Sequence, residues 1–381
     1  MGEFITTDAE SIYNTIITAF ENNLEEPLYP GDERRLFVES ALITIVVILF
    51  NQMDEAAKQR LLKYAKGPVL DALGERVNCT RLGKRPAATT LEFKLGAART
   101  VDTVLPKGTR ATADGTFYFA ADESVIIRAG ELTATVAATA TVGGMAGNNF
   151  AIGAINTIVD AVPFVAGVTN LTLTSGGDNG EPYPEEDGGV GDDSYRERIK
   201  LAPATYSTAG AQEAYEYHTR SVSSQIKGVK VLSNQQAGKI DVYVVGQNGE
   251  NLSDEIMTDI YEALNTRTRR PLGDLLTVNH PDPVSFDIEL KYYVSKDNEA
   301  QVITNIEGAG GAIEQYINYQ QEALGRDINP DKLRLLCLRP GDNLPGCHRV
   351  DIVKPVFTVL AEEQIAKHSG IIKITHEIDE G

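Results

Sequence analysis

The sequence predicts an α+β multidomain protein: an N-terminal helical bundle segment, a central β-sandwich-like domain and two C-terminal two-layer α+β modules. Three observations lead there. Apolar residues recur at helical spacing over the first 78 positions, at a period of two from Leu91, and in alternating helical and strand patterns beyond position 208. A stretch rich in glycine and carboxylates, 176–193, divides the halves, and its composition suits a surface connection with no core of its own. The length of 381 residues accommodates roughly two to four domains. The boundaries that follow are 1–78, 79–175, 176–282 and 283–381.

The first helix spans 7–24, opening on a Thr7/Glu10 capping box and carrying Ile12, Ile16, Phe20 and Leu24 on one stripe. Pro27 and Pro30 then enforce a turn. A long helix over 33–52 follows, apolar all round from Ala41 to Phe50, and shorter helices at 54–66 and 68–77 complete the segment. A helix apolar on every side must be covered on every side, so partner helices are expected on Ile12, Ile16, Phe20, Leu36, Leu42, Ile45 and Leu49, the alternative being that the chain's other domains fold back over them. Residues 79–90 read as a basic linker. From Leu91 the period-two runs, broken by turns about every ten residues, suit a small sandwich or barrel. The span 143–153 has no periodicity and many glycines, and strands are expected at 154–159 and 170–174.

Past the divider, a helix begins at Tyr195 behind Asp192 and Asp193, and Pro203 ends it. Helix 209–223, strands 229–232 and 239–245, helix 253–268 and strand 275–279 make one α-β-β-α-β unit. Strand 284–294, helices 298–323 and 330–338, and strands 348–353 and 371–377 make the last. Gly176, Gly177, Gly188 and Gly189 are the expected hinge positions of the divider.

Thirty-five basic residues against 54 acidic ones give a net charge of −19, which argues against nucleic acid and anionic membranes as partners. The longest apolar run reaches about 15 positions where a membrane span needs roughly 20. Three cysteines suit a reducing compartment without a disulfide framework, and the N-terminus shows no signal-peptide pattern. Glu185, Glu186 and Asp187 lack the apolar wall that would raise one carboxyl for acid–base work. The acids of 178–193 fit no calcium-loop spacing, and Cys337, Cys347 and His348 lack a fourth zinc ligand. No nucleophile, phosphate-loop or dinucleotide signature occurs. The chain therefore reads as a non-enzyme without cofactor or metal. The alternative, a carbohydrate- or receptor-binding surface protein reading through 91–175, has no tryptophan for a stacking platform.

Several segments together resemble the baseplate J-like proteins of contractile phage tails and related injection machines. They are Pro106-Lys107-Gly108-Thr109, Gly143-Gly144 with Gly147-Asn148 and Gly153, and Asn170 leading to Gly176-Gly177. Then come Asp192-Asp193-Ser194-Tyr195-Arg196-Glu197-Arg198-Ile199, Ala202-Pro203 and Ser207-Thr208-Ala209-Gly210. Gly228-Val229, Gly238 to Val244 and Arg270-Pro271-Leu272-Gly273-Asp274 extend the likeness. The chain departs from the family in its long Pro-rich acidic loop and in Gly273, where relatives carry Thr. The resemblance implies a structural wedge component, assembled in the bacterial cytoplasm and carried in a virion tail or a bacteriocin-like tail particle. It implies as partners a second copy of the chain, a smaller wedge protein of the tail protein I type and a lysozyme-like wedge protein leading to the sheath. A ring around the hub and spike, rearranging to trigger sheath contraction, completes the implied role.

Overall fold

The computed structural model describes residues 8–206, 211–234, 238–266, 269, 273–341 and 344–379. Thr7 and two of the segments that carry the family resemblance, 207–210 and 270–272, lie outside the described residues. The chain divides into two compact units, one formed by 1–81 with 182–200, the other by 82–181 with 201–381.

In the first unit, helix Ala9–Leu24 starts at Asp8, whose carboxylate accepts the Ser11 N–H at 2.8 Å. Asp32 caps the next helix in the same way through the Arg34 N–H at 2.8 Å. That helix runs unbroken over Glu33–Lys58, with one π-type turn at Val38–Ile43. It absorbs the start of the helix expected at 54–66, because Lys58 pairs with the buried Asp54 at 2.5 Å one turn earlier. Ile17, Val38 and Ile43 form the contact between the two helices, flanked by Ile16, Phe20 and Leu42. Helix Gly67–Glu75 and helices Pro184–Asp187 and Val190–Leu201 follow, with Leu70, Cys79, Tyr195 and Ile199 buried.

The second unit begins with a barrel-like sheet. Its strands are β1 Pro86–Leu95, β2 Thr103–Leu105, β3 Arg110–Thr112, β4 Tyr118–Ala121, β5 Val125–Ile127, β6 Thr133–Gly143, β7 Thr157–Ile158 and β8 Val165–Asn170. Six of them form one sheet in the order β7-β3-β4-β6-β1-β8, while β2 and β5 pair separately. The expected sandwich is thus a single curled sheet, nearly closed, its terminal strands β7 and β8 lying next to each other. Curling follows from register. Phe93 of β1 faces Ala134 on one side and Val168 on the other, and Leu91, Phe93, Phe119, Val136 and Val168 all point inward. Phe119 and Phe150 meet edge to face at 5.9 Å and fill the interior. Residues 79–90 are not a free linker: Cys79 is fully buried, and β1 already begins at Pro86.

The α-β-β-α-β unit takes its expected form. Helix Gln212–Arg220 precedes β9 Gly228–Asn234 and β10 Lys239–Val245, which pair antiparallel, and helix Asp254–Leu264 carries the chain over to β11 Leu275–Asn279, parallel to β10. In the last unit, β12 Asp282–Val294 sits between β13 Arg349–Lys354 and β14 Gln364–Ile378. The helix expected at 298–323 is two, Glu299–Glu307 and Ala312–Gln321, because the chain turns at Gly310 with φ +73°. Helix Pro330–Leu338 completes a core around Ile288, Leu290, Tyr292, Ile306 and Tyr316.

Two outcomes follow. Phe93→Ala empties the middle of the barrel and should cost about 3–5 kcal/mol in denaturant unfolding. His218, its pKa lowered from 6.5 to about 4 by burial and then by the charge of Arg269, stays neutral in the fold while the unfolded chain takes up a proton. Its contribution is complete above pH 6.5 and declines as pH falls towards 4. His218→Asn should flatten the pH dependence of the melting temperature across that window.

Candidate functional site

The N-terminal helices bury only one side of the apolar residues they carry. Of the seven positions expected to meet partner helices, Ile12 is buried, and Ile16, Phe20 and Leu42 are partly buried against the contact of the two helices. Leu36, Ile45 and Leu49 are at least half exposed, as are Phe37, Ile48 and Met53, which the sequence reading did not single out. Phe37, Ile45, Leu49 and Met53 repeat at helical spacing, so they form one apolar stripe along Glu33–Lys58. Glu39, which interrupts the apolar run in sequence, belongs to the other face. Tyr13 donates its hydroxyl to Glu39 at 2.8 Å, and Arg35 donates to both Tyr13 and Glu39. The Arg35 guanidinium and the Tyr13 hydroxyl hold the Glu39 carboxyl below its usual range.

By length and composition this helix is apolar enough to cross a membrane, with only 11% of its most apolar window buried. Arg34 and Arg35 near its start, Glu39 within it and Asp54 and Lys58 near its end all lie in this one continuous helix.

Within the same unit, the segment 182–200 is fastened to the N-terminal chain by Arg81. Its guanidinium donates to Asp71 at 2.6 Å and to Asp192, and it lies 4.6 Å from the centre of the Tyr183 ring and 4.8 Å from that of Tyr195. Asp192 also accepts the Gly67 N–H at 2.9 Å, and Asp71 accepts the Tyr183 hydroxyl at 2.7 Å. Burial works against the charge of Arg81, but its hydrogen bonds to Asp192 and Asp71 outweigh that and raise its pKa. The Tyr183 hydroxyl is raised by its bond to Asp71, and burial raises that of Tyr195. Tyr195 donates to the Cys79 carbonyl at 2.6 Å, directly over Gly74, where any Cβ would collide with it. Arg196 reaches the Leu62 and Ala65 carbonyls at 2.8 Å, and Arg198 the Thr80 carbonyl at 3.1 Å.

In the second unit, the stretch 175–181 is equally fixed. Asp178 accepts the Ser223 hydroxyl at 2.5 Å, the Ser224 N–H at 2.9 Å and the Gly180 N–H at 2.8 Å. Its backbone pairs with that of Arg85. Gly177 exchanges hydrogen bonds with the Asn148 amide at 2.8 and 2.9 Å, and a Cβ there would strike the Gly144 carbonyl. Gly176, at φ +81°, has the Glu255 carboxylate against it. These two positions pack closely between barrel and central module. Gly188 and Gly189 differ: both have positive φ, and no atom stands where a Cβ would go.

The acids of the divider split accordingly. Glu185, Glu186 and Asp193 lie at the surface, whereas Asp178, Glu181 and Asp192 are each only 2% exposed. Nothing in the local composition separates the two sets; the cue was the lone Tyr183, an aromatic ring in a polar stretch, which stacks on Arg81. No group of three or more His, Cys, Asp or Glu side chains among the described residues is placed to hold a metal ion.

Barrel, α-β-β-α-β module and helical arm together define a modular α+β protein built around a near-closed six-stranded sheet. Residues 90–177 match the Baseplate J-like protein barrel domain and residues 207–280 the Baseplate J-like central domain. Two stretches of the chain thus resemble domains of the baseplate J-like family. It is 29% identical over 192 residues to baseplate protein J of Escherichia phage P2, an alignment covering 50% of this chain and 61% of that one. A cryo-EM structure of the anti-feeding prophage baseplate superposes over 94% of this chain and 90% of its own, with a TM-score of 0.44 and 10% identity.

Asp192→Ala leaves the buried Arg81 one carboxylate short and should cost about 3–5 kcal/mol in urea unfolding. Glu185→Gln, seven residues away on the exposed face of helix Pro184–Asp187, should stay within about 0.5 kcal/mol of the parent.

Proposed function

We propose that this protein is a structural wedge subunit of a contractile baseplate, in which its N-terminal helices complete a bundle with other chains. The single observation that carries the proposal is the apolar stripe along Glu33–Lys58, half exposed over four turns in a chain of net charge −19. A water-exposed stripe of that length costs free energy until it is covered. The likeness of two of its domains to the baseplate J-like family supports covering it with baseplate chains.

The partners in this reading are a second copy of the chain, a smaller tail protein I-like wedge protein and a lysozyme-like wedge protein leading to the sheath. The hub and spike lie inside the ring, and the particle is a phage tail or a tail-like bacteriocin. The role is mechanical and non-enzymatic. Barrel and central module act as one body through the joint at Gly176–Gly177, and reorientation on firing is taken up elsewhere, with Gly188–Gly189 the unobstructed turn.

A bilayer is the other surface that could cover such a helix, and it is favoured by length and composition alone. The packing of one face on Ala9–Leu24 and the Tyr13–Arg35–Glu39 network support a protein bundle instead, because the first already covers part of the helix with protein and the second places charged groups in its first two turns. Ile45→Asp with Leu49→Asp should abolish co-elution with the tail protein I-like partner and leave the far-UV spectrum of the barrel unchanged. Flotation of the unaltered chain with liposomes, lost in the same double variant while co-elution persists, would instead assign the stripe to a membrane.

A further inference from the structure

All three cysteines are buried thiols, and two of them share the core of the last module. Cys337 lies in the final turn of helix Pro330–Leu338, and Cys347 stands two residues before β13. The Cys347 N–H donates to the Cys337 carbonyl at 3.1 Å, and the Cys347 thiol lies 3.4 Å from the same oxygen. One backbone hydrogen bond between two residues keeps their Cα atoms within roughly 7 Å, the range a disulfide can span. The approach is enforced by Gly346, where a Cβ would press on the Leu338 and Cys337 carbonyls. Any residue other than glycine there would push the returning chain, and Cys347 with it, away from the helix end.

We propose that Cys337 and Cys347 are a latent disulfide, closed when the protein meets a small-molecule disulfide outside a reducing compartment. Cys347, 5% exposed against 0% for Cys337, is the sulfur that reacts first. Its thiolate attacks one sulfur of the small disulfide, forming a mixed disulfide and releasing one small thiol. The Cys337 thiolate then attacks the Cys347 sulfur and releases the second small thiol. Two protein thiols give up two protons and two electrons, and the small disulfide is reduced to two thiols. Burial pushes the Cys337 thiol up to about 12, with Cys347 adding to the shift, and pushes Cys347 up to about 11. Thiolate is therefore scarce near neutrality, so the bond forms over hours and faster in alkaline buffer. Cys79 is buried in the other unit and has neither cysteine beside it in sequence, so it serves as the internal control.

The test is incubation of the full chain with oxidised glutathione at mildly alkaline pH, followed by alkylation in denaturant and mass mapping. The expected product has lost the mass of two hydrogens, joins the peptides of Cys337 and Cys347, and still alkylates at Cys79. It should melt at a higher temperature than the reduced chain, because the closed loop restricts the unfolded state. Cys337→Ser should stop the reaction at a glutathione adduct on Cys347. Full alkylation of both cysteines after prolonged oxidation, a glutathione adduct persisting in the unaltered chain, or cross-links between separate chains would each overturn the proposal.

Discussion

A largely buried guanidinium, that of Arg81, ties the two segments of the first unit together. Arg81 is flanked by two carboxylates and two tyrosine rings, and every one of those partners except Asp71 comes from the segment 182–200, more than a hundred residues away in sequence. Charge in a dehydrated site is tolerated only when its donors are fully used. Arg81 meets that demand with Asp71, Asp192 and the carbonyls of Gly67 and Pro182. Without this pairing the acids of 182–200 would have every reason to stay in water, and the N-terminal helices would lose the element that closes their base.

This gives the family signature a physical meaning. Asp192, Tyr195, Arg196 and Arg198 each reach the backbone or side chains of 62–81, so the run is a docking strip written in polar residues. Helix Val190–Leu201 has no apolar face wide enough to dock by itself, and hydrogen bonds to carbonyls supply the specificity that a hydrophobic stripe supplies elsewhere. The joint at 175–181 follows the same rule in the second unit, where Asp178 is satisfied by serine hydroxyls and backbone N–H groups. Both fastenings are directional, because each rests on hydrogen bonds of defined geometry.

The opposite condition prevails along Glu33–Lys58. There the polar network of Tyr13, Arg35 and Glu39 sets which face turns inward, and the apolar stripe is what remains outside. Among the described residues of the first unit, no second layer covers it.

Much of this was legible in the residues. Period-two runs from Leu91, the helical stripe of Ile12, Ile16 and Phe20, and the α-β-β-α-β order of the central module follow from local patterns, because burial on one face imposes a period whatever lies opposite. The need of the helix 36–50 for cover was legible for the same reason. Sequence could not tell that Asp178, Glu181 and Asp192 are inside while Glu185, Glu186 and Asp193 are outside, since a carboxylate is buried or solvated according to donors that arrive from distant segments. Nor could it separate the packed Gly176–Gly177 from the open Gly188–Gly189, for a glycine is the same residue whether chosen for lack of space or for positive φ. The curling of one sheet where a sandwich was expected was likewise decided by pairing: Phe93 with neighbours on both sides leaves no edge at which to split the sheet in two. Local periodicity determined the elements and the unmet apolar face; only long-range contact decided which polar groups became the fastenings.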